Sequence, residues 1–397
     1  MQTPCRIALA FSGGLDTTYC TSWLAAQGYE VHTVHVDTGG TDAAARAGIA
    51  ERAKAAGAAA HHEIDARAAV FDTFLVPLIR GNVLRGGVYP LSVAAERTQQ
   101  ASSVVVKARE LGAGALAHGS TGAGNDQIRF DIAFRILAPE LPIVTPIRDG
   151  HVQRIDALAW LEARGIPLPP ESGAYSINKG IWGTTWGGGW THDTWAGPPA
   201  GLLDPPADAP APRELVVGWK AGIPGSLDGR ALPGPELVGA LEALSDAYGI
   251  GRGLHTGETA LGIKGRIGFA AGPAHLLIAA HAELEKLVLT RWQLFWKETL
   301  ARFYGDRLHE GQWFDPALRD IEAFFAATQA RVEGDTRIRL APGRFLVTGA
   351  RSRWSLFSAG AAYGERNDLF DGESARGFAR VSAVAAQLAA KAGGAAT

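Results

Sequence analysis

The stretch Ile7-Ala8-Leu9-Ala10-Phe11-Ser12-Gly13-Gly14-Leu15-Asp16-Thr17-Thr18 decides the fold of this chain. Ile7 to Phe11 reads as a buried strand, Gly13-Gly14 as a tight turn, and Thr17 to Gln27 as the helix that leaves it. Such a junction aims backbone N–H groups and a helix N-terminus at one point, which is how a backbone holds phosphate or pyrophosphate. The glycines let the main chain approach an anion, and the hydroxyls of Ser12, Thr17 and Thr18 can donate to it. Asp16 tolerates a phosphate beside it only with a Mg2+ between them. The loop has neither the lysine of a Walker loop nor a Gly-x-Gly-x-x-Gly spacing.

Short apolar runs at Ile7–Phe11, Val31–Val36, His61–Ile64, Gly114–Ala117 and Ile143–Ile147 alternate with helical patterns such as Asp42–Gly57. That alternation predicts α/β architecture: a doubly wound parallel sheet with its sites at the strand C-terminal ends. The run His118-Gly119-Ser120-Thr121-Gly122-Ala123-Gly124-Asn125-Asp126-Gln127-Ile128-Arg129-Phe130 follows one of these strands, and so belongs on the same rim as the first loop. Thr121, Asn125 and Asp126 offer a hydroxyl, an amide and a carboxylate, suited to the two charged ends of an amino acid. Arg129, one helical turn after Asp126, suits a carboxylate or an anionic intermediate. His118 reads as structural.

The second half has another texture. Residues 171–197 are rich in Gly and Trp, and Gly197 to Pro212 is a Pro/Ala-rich loop or arm. Glu214–Lys220, Arg337–Leu340 and Arg344–Ala350 read as strands, the last two as a hairpin turning at Pro342-Gly343. His275–Tyr304 is one long helix or two close ones. Phe378, Val381, Ala385 and Leu388 recur at helical spacing near the end, a narrow apolar stripe of the kind that packs on a partner. An α+β domain and a C-terminal helix therefore follow the parallel-sheet domain, with divisions at 1–167, 168–370 and 371–397.

Composition narrows the class. With 38 Lys+Arg against 40 Asp+Glu, no basic surplus announces nucleic acid. Cys5 and Cys20 are the only cysteines, so no disulfide framework or Cys-rich zinc site is written here, and a reducing cytoplasm is expected. No apolar run reaches membrane-spanning length, so no membrane partner is expected.

The first loop resembles the pyrophosphate loop of the ATP pyrophosphatases. Ser12–Thr18, His118–Phe130, Ala138-Pro139-Glu140-Leu141, Pro146-Ile147-Arg148, Tyr175-Ser176-Ile177-Asn178 and Trp182-Gly183 together resemble the argininosuccinate synthase family. Gly249-Ile250-Gly251-Arg252 and Gly262-Ile263-Lys264-Gly265-Arg266 continue the similarity into the second half. The resemblance implies attack of the citrulline ureido oxygen on the α-phosphorus of ATP. Aspartate then displaces AMP. It further implies ATP with Mg2+ as co-substrate, a homotetramer embraced by C-terminal helices, and a place in arginine biosynthesis. Carried over by position, Ala10, Phe11, Ser12, Gly13, Gly14, Leu15, Asp16, Thr17, Thr18, Val36 and Gly119 hold ATP. Thr121, Asn125 and Asp126 hold aspartate, Asp126 orienting its ammonium and serving as a base for it. Tyr89, Asn125, Arg129, Ser176, Thr185 and Glu258 face the ureido substrate. Asp16, Asp126 and Arg129 are the residues expected to carry the chemistry.

The chain departs from that pattern mainly at the citrulline end. Ala94 and Thr185 stand where the family has serines, Gly187 replaces an acidic residue, and Ala123 replaces a lysine. The glutamate expected at the citrulline ammonium aligns with Gly257, leaving Glu258 one position along, and a later tyrosine becomes Phe269. A ureido compound altered at its amino-acid end is the alternative acceptor.

Overall fold

The computed structural model describes residues 5–167, 175–359 and 369–394. Five parallel strands form the first sheet: β1 (Arg6–Ala10), β2 (Glu30–Asp37), β3 (Ala60–Asp65), β4 (Ala115–Ala117) and β5 (Ile143–Val144), in the order β3-β2-β1-β4-β5. Strand order reverses between β1 and β4, and the loops leaving these two strands border the crevice where ligands bind in open α/β sheets. The helices α1 (Leu15–Ala26), α2 (Ala43–Ala55), α3 (Arg67–Val70), α4 (Val76–Gly81), α5 (Ser92–Glu110), α6 (Asp126–Leu137), α7 (Pro146–Asp149) and α8 (Arg154–Glu162) complete this half. Asp42 caps α2 by accepting from Ala45 N–H at 2.8 Å. The fifth strand is shorter than the Ile143–Ile147 run suggests, because Pro146 cannot donate to a ladder and instead opens α7.

The second half holds two antiparallel sheets. The strands β6 (Tyr175–Gly180), β7 (Gly183–Gly188), β8 (Arg213–Lys220), β9 (Ile223–Leu227), β10 (Arg230–Ala231), β11 (Arg252–Glu258), β12 (Lys264–Ala270), β13 (Gly334–Ala341) and β14 (Arg344–Arg351) pair as β10-β9-β8-β13-β14 and β11-β12-β7-β6. Around them lie α9 (Gly234–Tyr248), α10 (Gly272–Val288), α11 (Arg291–His309), α12 (Pro316–Thr328), α13 (Leu356–Ala359), α14 (Gly372–Ser382) and α15 (Val384–Ala392). The 275–304 segment is thus two helices. Thr290 and Gln293 form a capping box that starts α11 afresh.

Val70, Phe74, Leu75, Leu78, Ile79, Leu91 and Ala94 lie in the N-terminal half by sequence, yet they bury in one core with Leu237, Leu241, Leu277, Tyr304 and Phe325. A crossing segment therefore welds the two halves together. The C-terminal stripe occupies two short helices with a break at Ala383, and no residue of either is buried. The tryptophans divide. Trp182 is buried and donates to Pro90 O at 3.1 Å, whereas Trp195 is 95% exposed.

Candidate active site

At the end of β1, Phe11 N–H donates to Val34 O at 2.9 Å, the last bond before the chain leaves the sheet. Gly13 then takes φ +72°, and a Cβ there would sit 2.9 Å from Ile49 Cγ1 on α2, so only glycine fits without strain. Gly14 occupies the cap position of α1 with no side-chain cap, which leaves the first-turn N–H groups directed at the crevice. Thr18 Oγ1 donates to Gly14 O at 2.7 Å, and Ser12 and Thr17 hydroxyls lie 3.2 Å apart at the mouth. Two residues brace the loop from behind: Arg52 Nε donates to Gly13 O at 2.8 Å, and His35 Nδ1 to Phe11 O at 3.2 Å. Burial pushes the Asp16 carboxyl up, against the pull of Arg154. Ala10, Leu15 and Val36 are buried, so their share of the crevice is mostly main chain.

The second loop packs on the first. A Cβ at Gly119 would lie 3.2 Å from Asp16 C and Thr17 N, so glycine permits this close approach. His118 keeps the structural part read for it: Nε2 donates to Asp131 Oδ1 at 2.9 Å and Nδ1 accepts from Ser120 N–H at 3.2 Å. Gln127 reaches back to Gly122 O, and Arg148 holds Gln127 and Asp131 in place. Thr121 is exposed at the tip. Asn125 Oδ1 accepts from Ala260 N–H at 2.7 Å, leaving its NH2 group as the donor for a ligand.

Asp126 opens α6 between two guanidiniums, Arg97 Nε at 2.8 Å and Arg129 Nη1 at 2.9 Å. Burial works to raise its carboxyl, but the two arginines outweigh it and hold the group below its ordinary value. The two arginines thus favour the ionised form of the carboxylate. Arg129 is itself anchored: Nε and Nη2 donate to His309 O at 3.1 and 2.9 Å. Burial, with Arg129 and Arg85 close by, pushes His309 down to about 3, so the ring is neutral and donates Nε2–H to Glu258 O at 3.1 Å.

One face of the four-stranded sheet closes the crevice. Asn178, Thr185, Phe269 and Gly253 align across β6, β7, β12 and β11. Asn178 Oδ1 receives Arg97, and Tyr89 stacks on His255 with centroids 5.5 Å apart and a 10° interplanar angle. Ser176 lies two residues before Asn178 on the same face and pairs with Gly187, where a Cβ would meet nothing within 4 Å. Thr185 is fully buried with Oγ1 unpartnered. Ser176 is thus exposed on this face, whereas Tyr89 and Thr185 are buried.

Residues 6–167 match the family model described as the arginosuccinate synthase N-terminal HUP domain, and residues 175–389 match that of the arginosuccinate synthase C-terminal domain. The argininosuccinate synthase of Xanthomonas campestris pv. campestris is 38% identical over 393 residues, covering 97% of this chain and 98% of the relative. That of Xanthomonas axonopodis pv. citri is 39% identical over 97% of this chain and 94% of the relative. The Rubrobacter xylanophilus synthase is 35% identical over 94% and 92%. The chain belongs to the argininosuccinate synthase family. Members of this family are ATP-dependent ligases that convert citrulline and aspartate to argininosuccinate.

Against the argininosuccinate synthase pattern, Glu258 does not enter the pocket. His255 and Gly257 share the inner face of β11, and the period-2 alternation of a strand sends Glu258 to the other face, where it is 55% exposed and bonds Lys264 at 2.5 Å. A one-residue offset in a strand reverses the side chain instead of shifting it slightly. Arg52, His35, Arg85, Arg97, His255 and His309 were not singled out from sequence. The long-range partners that place them lie 24 to 221 residues away, and no local spacing signals such pairs. Among the described residues no group of three or more His, Cys, Asp or Glu forms a metal cage, and no helix is long and apolar enough to cross a membrane.

Proposed function

We propose that this chain adenylates the ureido oxygen of citrulline with ATP, releasing pyrophosphate, and that the amine of aspartate then displaces AMP to give argininosuccinate. The observation that carries this reading is the contact of Gly119 with the first turn of α1, which sets Thr121–Arg129 beside the phosphate loop. In this reading the main chain from Ala10 to Thr18, with Val36 and Gly119, holds ATP, and Thr121, Asn125 and Asp126 hold aspartate. Tyr89, Asn125, Arg129 and Ser176 face the ureido group, with Thr185 beside Phe269 on the neighbouring strand. A Mg2+ would accompany the triphosphate, and the Asp16 carboxylate is an oxygen ligand of the kind it takes. Adenylation needs charge stabilisation and placement more than a covalent enzyme intermediate, which suits a site rich in fixed N–H donors.

Incubation with ATP, citrulline and aspartate is expected to give AMP, pyrophosphate and argininosuccinate in equal amounts. Detection of ADP as the nucleotide product would overturn the reading. Ser12→Ala removes a hydroxyl at the loop mouth, and loss of a charge-assisted hydrogen bond of about 1.5–3 kcal/mol should slow turnover roughly 10- to 100-fold.

We further propose a cytoplasmic homotetramer without nucleic-acid or membrane partners, divided at 1–167, 168–370 and 371–397. The boundary at 168 lies outside the described residues. Phe378 and Val381 are each 72% exposed and Leu388 61%, so the two C-terminal helices present an apolar stripe that none of the described residues covers. Ending the chain after Gly372 is expected to lower the assembly size in light scattering. A monomeric full-length protein at micromolar concentration would refute the tetramer.

A further inference from the structure

The four-stranded sheet has a second face with a cavity of its own. Asn178, Thr185, Phe269 and Gly253 close the crevice, so by strand alternation the next aligned row, Lys179, Thr184, Ala270 and Arg252, lies on the opposite face. That row, with Trp186 two residues along β7, lines a cavity of about 340 Å³, within the roughly 300–1,000 Å³ of small-molecule sites. Glu242 and Asp246, one turn apart on α9, and the Gly201-Leu202 turn complete the lining. Lys179 and Asp246 are exposed and Glu242 is half-buried, so a ligand can reach all three.

Of the four charges around this cavity, Arg252 is engaged: Nη1 donates to Asp204 O and Nη2 to Asp246 O at 3.4 Å. Among the described residues, Lys179 Nζ and the carboxylates of Glu242 and Asp246 have neither a hydrogen bond nor an ion pair. Burial pushes the Glu242 carboxyl up, against the pull of Lys179. Two carboxylates one helical turn apart repel each other, and a cation set between them removes the repulsion. One ammonium and two carboxylates are thus left without partners, and their complement is a molecule with one carboxylate and two cations. We propose that the cavity binds a free amino acid with a cationic side chain, its carboxylate on Lys179, its two cations on Glu242 and Asp246, and its stem along the Trp186 ring. The site stands apart from the ligase reading, since none of these side chains belongs to the row that closes the crevice.

Calorimetric titration of the full-length chain with L-arginine, with citrulline and aspartate in excess and ATP omitted, is expected to show one site per chain. Agmatine, which lacks the carboxylate, and norleucine, which lacks the side-chain cation, should each bind about tenfold or more weakly than arginine. Glu242→Gln should weaken arginine by about tenfold or more, and Lys179→Met should do the same to arginine while leaving agmatine unchanged. Both variants should unfold at the parent's temperature, since neither side chain has a partner to lose. Absence of binding at about 10 mM arginine would overturn the site. So would either analogue matching arginine, or either variant binding arginine as the parent does, which would mark arginine in the acceptor pocket instead. With ATP omitted, a negative titration leaves the ligase reading untouched, and failure to form argininosuccinate leaves this site untouched.

Discussion

Asp126→Asn is expected to lower argininosuccinate formation by about two to three orders of magnitude while leaving ATP affinity within a few-fold. The carboxylate accepts from Arg97 Nε and Arg129 Nη1, and it is the negative charge nearest the proposed aspartate ammonium. Asparagine keeps the shape but turns an N–H group towards one guanidinium. Removing one member of a buried charge cluster costs about 3–5 kcal/mol, and since the Asp126 side chain retains 30% exposure the lower part of that range applies. Arg129 would still be held by His309 O, so the fold of the rim survives. The phosphate loop is braced by Arg52 and His35, neither of which touches Asp126, so nucleotide binding should persist. Titration of ATP alongside initial-rate measurements checks both halves, and a variant within tenfold of the parent rate would contradict the assigned role.

The largest stability effect is expected at Lys297, far from the chemistry. Its Nζ donates to Glu285 Oε1 and to Arg80 O, and the two side chains are only 3% and 0% exposed. Against the upward push of burial, His281, Lys297 and the amide of Gln329 hold the Glu285 carboxyl below its ordinary value. Lys297→Met leaves that carboxylate with donors from Asn82 and Gln329, each at 2.6 Å, but no adjacent lysine. Loss of about 3–5 kcal/mol is expected in chemical denaturation. Adding Glu285→Gln removes the orphaned charge and should recover much of the loss. A single variant destabilised by less than about 1 kcal/mol would mean the pair matters little.

How far each feature was legible in the sequence depended on the range of the interactions that make it. The phosphate loop was legible because its determinants are consecutive: apolar strand, glycine at a left-handed φ, capless helix start. The sequence left 275–304 as one helix or two, and the capping box of Thr290 and Gln293 decides for two. Glu258 was misplaced because a sequence offset of one looks small, while in a strand it selects the opposite face.

By itself the sequence determined the alternating α/β order, the two glycine-bearing loops that follow β1 and β4, and the residue types gathered on them, since each follows from steric rules acting over a few residues. Only the tertiary structure decided that residues 70–95 belong to the second core, that Asp126 is clamped by Arg97 and Arg129, and that Lys179, Glu242 and Asp246 line one cavity. The physical reason is that a charged side chain carries no local mark of its partner. Whether an arginine on a helix is solvated or buried against a carboxylate is settled only when separate segments pack together and remove the water between them, as Arg97 on α5 does with Asp126 on α6.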